Sequence, residues 1–226
     1  MKIKQFFLIL VLPLLTYCSK VKQTDLAKLK LNEPVENLLS ETSLKSIGTN
    51  SVEYPFAILA EDTDSTKFVF STVPADRVYF LLSAKVNNDS VIKNGGGRFD
   101  GIYFKTKKQL ENNLQILKKQ NFSNEIFGFR AEIKGKKNQN AVKQLLTKMY
   151  GKSTKNPNTD NGEYWNVKNE NKYVFFAPDY NRLIILNSKN LSKTCYWDSQ
   201  NGIINIGKEN CNYDKYLREM GVEIPK

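Results

Sequence analysis

Three short segments in the C-terminal half are rich in the aromatic and β-branched residues that favour β-strands. They are Glu163–Val167, Lys172–Ala177 and Arg182–Asn187. The connectors around residues 169–171 and 178–181 hold asparagine, aspartate and proline, and they are short enough for hairpins. The sequence therefore predicts an antiparallel meander here, and the chain must adopt a fold that contains such a sheet.

Similar patterns elsewhere predict further strands and two helices. The helices are Thr106–Gln120, with Leu110, Leu114 and Leu117 on one stripe, and Asn140–Tyr150, which Gly151 ends as a C-cap. Short connectors within each run of strands, with helices between the runs, are typical of an α+β fold. We therefore expect antiparallel sheets with two amphipathic helices on one face and the meander in the C-terminal half. The remaining predicted strands are Phe56–Leu59, Lys67–Val73, Val78–Ala84, Phe99–Lys105, Ile126–Lys134 and Ile203–Ile206.

The first seventeen residues predict a targeting segment that is not part of the fold. Lys2 and Lys4 precede an unbroken apolar run, Phe6–Leu15. This run is about half of the ~20 residues that a helix needs to span a bilayer. A basic start followed by a short apolar stretch indicates a signal peptide over residues 1–17.

The end of this run, Leu15-Thr16-Tyr17-Cys18, resembles the lipobox of bacterial lipoproteins, in which a leucine lies three residues before an invariant cysteine. Leu15 and Cys18 match that pattern, and Tyr17 departs from the small residue that is usual there. The resemblance implies a mature chain that begins at a lipidated Cys18. It also implies export to the bacterial cell envelope and a lipid anchor in a membrane, in the outer membrane or facing the periplasm. Plain secretion and an uncleaved anchor are the alternatives.

The chain that follows the signal peptide divides by composition into two parts. Residues 18–43 begin with the lipid anchor that the resemblance implies, and their polar, lysine-rich composition predicts a polar tether. Residues 44–226 carry the strand and helix patterns and are expected to form a single α+β domain, with 44–138 and 139–226 as candidate sub-units. Its length is sufficient to bury a sizeable core.

The cysteine count fits an oxidising compartment. If Cys18 carries lipid, Cys195 and Cys211 are left as an even pair. A bridge between them would close a loop of about seventeen residues and stabilise the fold by ~3 kcal/mol. We predict this disulfide, with two unrelated buried thiols as the alternative. No metal site is expected, because two thiolates without histidine do not complete the usual zinc tetrahedron.

The formal net charge is +11, and it falls to +9 when the two lysines of residues 1–17 are removed. Only five of the 34 basic residues are arginine, although arginine is the better phosphate clamp. An exported protein would also rarely meet nucleic acid, so we expect no nucleic-acid partner. Attraction to an anionic membrane or polysaccharide remains open.

The chain contains no histidine, which excludes every mechanism that uses imidazole as a base or a metal ligand. No other catalytic set or cofactor motif is assembled in the sequence. The prediction is therefore a non-enzymatic envelope protein, without cofactor, that binds a partner protein or an envelope glycan. The rival is an envelope hydrolase that uses aspartate and glutamate carboxylates on a carbohydrate.

Four aromatic residues are the candidate ligand surface, because their rings could stack on sugars. They are Tyr164, Trp165, Tyr196 and Trp197. Adjacent residues of a strand face opposite ways, so one of Tyr164 and Trp165 is expected in the core and the other outside. Core aromatics that pack under the disulfide loop are the alternative.

Overall fold

The computed structural model describes residues 23–38, 44–50, 56–62, 67–84, 102–104, 107–119, 122–156, 159–191, 195–198 and 203–207. The strands in chain order are β1 Thr24–Asp25, β2 Leu44–Asn50, β3 Phe56–Asp62, β4 Phe68–Phe70, β5 Val73–Ala75, β6 Val78–Ala84, β7 Ile102–Phe104, β8 Phe122–Glu132, β9 Thr154–Lys155, β10 Glu163–Val167, β11 Lys172–Ala177, β12 Arg182–Asn187, β13 Cys195–Asp198 and β14 Ile203–Gly207. The helices are α1 Lys107–Lys119, α2 Lys136–Tyr150 and the single turn α3 Ser188–Leu191.

One antiparallel sheet of nine strands dominates the described part of the chain. Its order is β7-β2-β3-β6-β8-β12-β11-β10-β9. The strand β8 pairs with β6 on one side and with β12 on the other, so strands from both halves of the chain share this sheet. A smaller sheet has the order β1-β4-β5, and β13 pairs with β14.

The predicted C-terminal meander is confirmed with its bounds. The strands β10, β11 and β12 are neighbours in antiparallel register. Each connector is a 3-10 turn that ends at an asparagine in the left-handed region, Asn171 with φ 53° and Asn181 with φ 54°. Asparagine tolerates this conformation better than most residues, which explains why a local pattern was sufficient to predict both hairpins.

The helix α2 packs on the sheet through a short apolar stripe. Val142 and Leu146 are fully buried in the core, and Gly151 ends the helix at φ 79°, with its N–H donated to the carbonyl of Thr147 at 2.9 Å. The predicted C-cap is therefore confirmed. The antiparallel sheet with a packed helix agrees with an α+β class.

The more detailed prediction of two amphipathic helices on one face is not supported. Only α2 has apolar side chains in the described core. The structure describes the backbone of α1 but not the side chains predicted to form its stripe, namely Leu110, Leu114 and Leu117. The sheet also buries residues on its second face. There, β11 and β12 contribute Phe175, Ile184 and Leu186, each at most 4 % exposed.

The strand predicted over residues 126–134 does not keep a strict alternation of its two faces. A register irregularity in the β6–β8 pairing places Gly128 opposite Leu81 and Ile126 opposite Leu82. Phe127 is therefore bulged, and it does not join Phe129 in the main core cluster. A bulge adds one residue on one strand and so breaks the period of two.

The predicted tether over residues 18–43 is wrong for its described part. Residues 23–38, called the strap below, pack against the sheet by burying apolar residues that are at most 6 % exposed: Leu26, Leu29, Leu31, Val35 and Leu38. The spacing of these residues follows neither a helix nor a strand, so periodicity gave no signal. The folded part therefore includes residues that precede Leu44.

The strand predicted over Lys67–Val73 is in fact two strands, β4 and β5, joined by a turn. Ser71 has φ 59°, and its N–H is donated to Asp25 Oδ1 of the strap at 2.8 Å. A contact 46 residues away in the chain stabilises this turn. The local sequence, which holds neither glycine nor asparagine at the turn, could not predict it.

Candidate functional site

A cleft of about 400 Å³ lies between the N-terminal half of α2 and the ends of β9, β10 and β11. Its volume falls within the range of about 300–1,000 Å³ that is typical of small-ligand sites. Most of its lining is polar: Lys136, Gln139, Asn140, Lys143, Lys155, Asp160, Asn161 and Glu163, with Gly162, Phe176 and Pro178.

The amide of Gln139 forms the base of the cleft. This side chain is 9 % exposed, and its Nε2 donates to the carbonyl of Pro178 at 2.9 Å and to Asn181 Oδ1 at 2.8 Å. Nε2 also lies 3.3 Å from the carbonyl of Ile133. A buried amide must find such partners, and here they join the first turn of α2 to the β11–β12 turn.

Charged side chains surround this base. Lys143 Nζ contacts Glu163 Oε1 at 2.9 Å, which joins the middle of α2 to the start of β10. Lys155 lies opposite Glu163 in the β9–β10 ladder. Among the described residues, no carboxylate lies within ion-pair distance of Lys136 or Lys155. The cleft therefore offers ammonium donors, carboxylate acceptors and amides at once.

The loop before β10 closes one side of the cleft. Asn161 Nδ2 donates to Asp179 Oδ2 at 2.8 Å, and the N–H of Asn156 donates to the carbonyl of Gly162 at 2.8 Å. A Cβ at position 162 would lie 1.7 Å from Thr159 Oγ1, so a glycine is required for this close approach.

A row of charged residues crosses β6, β8 and β12 at the same end of the sheet. Arg182 is paired with Glu132 in register, and its Nη1 lies 2.5 Å from Glu132 Oε1. On the other side of Glu132, its N–H donates to the carbonyl of Arg77 at 2.9 Å. The guanidinium of Arg130 lies 4.4 Å from the ring centroid of Tyr79, a cation–π distance. Arg77 and Arg182 thus lie beside Glu132, and Arg130 shares the ring of Tyr79 with Arg182.

Glu132 remains ionised in this row. Burial, which by itself raises the pKa of its carboxyl, is outweighed by the hydrogen bond and charge of Arg182 and by the charges of Arg77 and Lys134. The pKa of Glu132 therefore lies below its ordinary value of 4.5. A carboxylate held in this way acts as a structural ion-pair partner rather than as a proton donor.

Stability is expected to depend on the protonation of Glu132. Because its pKa is lower in the folded chain than in the unfolded chain, its contribution is complete above about pH 4.5 and is lost as the pH falls through the lowered value. Urea unfolding between pH 6 and pH 3 should show a smaller loss of stability for Glu132→Gln than for the wild type. The exposed Glu125→Gln is the control and should follow the wild type. Identical profiles for all three proteins would contradict this role.

The described aromatic members of the predicted ligand surface lie apart from the cleft. Trp165 is 3 % exposed within the core, and its Nε1 donates to the carbonyl of Gly151 at 2.9 Å. The prediction that it forms a ligand surface is therefore wrong. Tyr164 points to the other face of the sheet, where it stacks on Phe175 with ring centroids 6.0 Å apart. The expected split between these two neighbours is confirmed.

The other predicted site residues are not tested by the structure. Tyr196 and Trp197 lie in β13, but their side chains are outside the described residues. Cys18 and Cys211 are also outside them, and Cys195 is described only as the first residue of β13. Lipidation at Cys18 and the Cys195–Cys211 disulfide therefore stay predictions.

The residues of the cleft were missed by sequence reasoning, although one signal was present. Lys136, Asn140 and Lys143 have the i, i+4, i+7 spacing of one helical face, but the helix was predicted to begin only at Asn140. The sequence gave no capping signal at the true start of the helix, because the N-cap residue is Gly135, which has no side chain to accept a hydrogen bond. The partners from the segments at 155–163 and 176–178 are brought in only by the tertiary fold.

The pKa of Tyr150, like that of Glu132, is shifted from its ordinary value. Burial raises the pKa of Tyr150 to about 12, and the charge of Glu170 adds to this effect. The phenol therefore stays neutral at physiological pH. Its hydroxyl is buried without a hydrogen-bond partner in the described part of the chain, and it lies at the end of α2 away from the first turn that borders the cleft.

The described ranges contain neither a metal-binding cluster of side chains nor a helix that could cross a membrane. No group of three or more cysteine, aspartate or glutamate side chains there could hold a metal ion. None of the helices in those ranges has the length and apolar character needed to cross a membrane.

Comparison of the chain with protein-family models, curated proteins and solved structures finds no match.

Proposed function

We propose that this chain is a non-enzymatic protein of the bacterial cell envelope, anchored by lipid at Cys18, and that it binds an envelope glycan in the cleft beside α2. The observation that carries the binding proposal is the lining of the cleft. Amides, ammonium groups and carboxylates face one space of about 400 Å³. Sugar hydroxyls both donate and accept hydrogen bonds, so they suit such a mixed lining.

An exposed aromatic residue supports a glycan as the ligand. Tyr180 is 54 % exposed and belongs to the 3-10 turn Pro178–Tyr180, whose first residue lines the cleft. A ring that remains in water at the border of a polar cleft can cover the apolar face of a sugar. Tyr180 replaces Trp165 as the aromatic contact in this proposal.

The binding site can be tested by titrating the chain from residue 18 onward with oligosaccharides released from bacterial envelopes. We expect Asn140→Ala and Tyr180→Ala each to weaken binding about five- to ten-fold, from the loss of about 1 kcal/mol of hydrogen bonding or stacking. The matched control is Asn166→Ala, because Asn166 is exposed on β10 and does not line the cleft. Equal binding by all four proteins would refute the site. Binding only to an envelope protein would favour the partner-protein alternative.

The anchor requires its own measurement. Metabolic labelling with a fatty acid should label the wild type and the Cys195→Ser control, whereas Cys18→Ser should stay unlabelled. Equal labelling of Cys18→Ser would refute lipidation at that residue.

The rival function is an envelope hydrolase, and one observation favours it. Asp160 and Glu163 line the same cleft, as the two carboxylates of a glycosidase would. Against it, Lys143 engages Glu163, and the lining aromatic Phe176 is only 2 % exposed. Release of new reducing ends from envelope glycans by the wild type, and its loss in Glu163→Gln with binding retained, would establish the hydrolase.

A further inference from the structure

We infer that, in the anchored protein, the end of the sheet around Glu132 and the first turn of α2 faces the membrane and lies against anionic lipid headgroups. This inference rests on the proposed anchor at Cys18. It follows from where the strap enters the fold, how little chain separates that point from Cys18, and which charges surround it.

The strap enters the fold near the end of β8. The N–H of Thr24 donates to the carbonyl of Lys67 at 2.8 Å, and Thr24 is paired with Phe68, which in turn is paired with Ala75. Ala75 precedes Asp76, whose N–H donates to the carbonyl of Glu132 at 2.9 Å. Two strand spacings, about 10 Å, therefore separate Thr24 from the chain that contacts the last residue of β8.

From that entry point the strap runs to the opposite end of the sheet. Pro34 forms a bridge with Glu125, and the N–H of Ile126 donates to the carbonyl of Glu33 at 3.0 Å. Between the two ends the strap is held by its buried leucines. It cannot act as a spacer without exposing them, which costs several kcal/mol.

The remaining chain between the anchor and the fold is short. Five residue steps separate Cys18 from Gln23, and covalent geometry limits them to about 18 Å. A tether that extended to residue 43 would have allowed any orientation of the domain. With this limit, the end at which Thr24 lies must be near the headgroup layer.

The charges at this end are predominantly basic. Eight basic residues accompany four acidic ones, namely Lys28, Lys67, Arg77, Arg130, Lys134, Lys136, Lys137 and Arg182 with Asp25, Asp76, Glu132 and Asp179. In the neighbouring cleft, the two further lysines, Lys143 and Lys155, are balanced by the carboxylates of Asp160 and Glu163. Basic side chains near an anionic leaflet are attracted within a Debye length. A glycan bound in the cleft would then be held close to the membrane surface.

The orientation can be measured on the lipidated full-length mature protein in vesicles. A fluorophore at Lys137 should be quenched by brominated lipid several-fold more than one at Lys168. Both lysines are exposed, and Lys168 follows β10 at the opposite end of the sheet. The five steps of β12 alone separate the two ends by about 17 Å. Equal quenching at the two positions, or stronger quenching at Lys168, would overturn the inference.

A second measurement does not depend on the anchor. The chain from residue 18 with Cys18→Ser should bind vesicles that contain phosphatidylglycerol better than pure phosphatidylcholine vesicles. The pair Lys136→Glu and Lys137→Glu should weaken that binding by about twenty-fold or more, whereas the control pair Lys148→Glu and Lys168→Glu should weaken it much less. Equal loss in both pairs would refute the membrane-facing end. Equal fatty-acid labelling of the wild type and Cys18→Ser would refute only the anchor at that residue.

Discussion

Leu26→Ala is expected to lower the free energy of unfolding by about 2–5 kcal/mol. Leu26 is 1 % exposed and packs with the strap's other leucines into the same cluster as Phe68 and Phe129. Removing one methine and two methyl groups leaves a cavity that the surrounding strands can fill only in part. Urea unfolding followed by circular dichroism measures the change.

The matched control for Leu26 is Lys30→Ala. Lys30 belongs to the same segment but is exposed, so its truncation should change stability by no more than about 0.5 kcal/mol. A free tether would make the two variants alike. If Leu26→Ala were as stable as Lys30→Ala, the strap would not be part of the folded core, and the limit on the distance from Cys18 would disappear with it.

Trp165→Ala should cost about 3–5 kcal/mol, because it empties a large buried site beneath α2. The indole fills space in the core cluster, and its Nε1 donates to the carbonyl of Gly151 at the end of that helix. Trp165→Phe keeps most of the ring but loses this hydrogen bond, so it should cost about 1 kcal/mol from the unpaired carbonyl alone, with a further loss of packing. Thermal and urea unfolding would measure the loss of stability in each variant.

Variants at Tyr164 and Trp165 distinguish packing in the core from contact with a ligand. Tyr164 is half-buried and stacks on Phe175 on the other face of the sheet, so its truncation should cost only about 1–2 kcal/mol. Glycan binding by Trp165→Phe should match the wild type under conditions where both proteins are folded. If Trp165→Phe bound glycan weakly while its stability was unchanged, the indole would be a ligand contact after all.

Part of the cleft could have been predicted from sequence, and part could not. The polar face Lys136, Asn140 and Lys143 repeats with the period of a helix, and such a period is visible in the sequence once the helix start is placed correctly. Glu163 and Pro178 reach the same space only because β10 and β11 are neighbours in one sheet. Pairing between segments that are distant in the sequence leaves no local pattern from which it could be predicted.

The arginine row shows the same limit more clearly. About fifty residues of chain separate Arg77 from Arg130, and Arg130 from Arg182. In the sequence, each of them is only one of five scattered arginines. Strand register brings them together, because β6 and β12 pair with the two edges of β8. Glu132 at the centre of the row then takes its lowered pKa from neighbours that no sequence window contains.

The sequence by itself determined the C-terminal meander, the C-cap at Gly151 and the turns at Asn171 and Asn181. These features depend on side-chain alternation and on backbone preferences of single residues, which act over a few positions. Tertiary structure alone decided that residues 23–38 are part of the core, that Trp165 rather than Tyr164 is buried, and where the cleft forms. Burial depends on which surfaces meet, and leucines without a regular period become core residues only when a sheet is present to receive them.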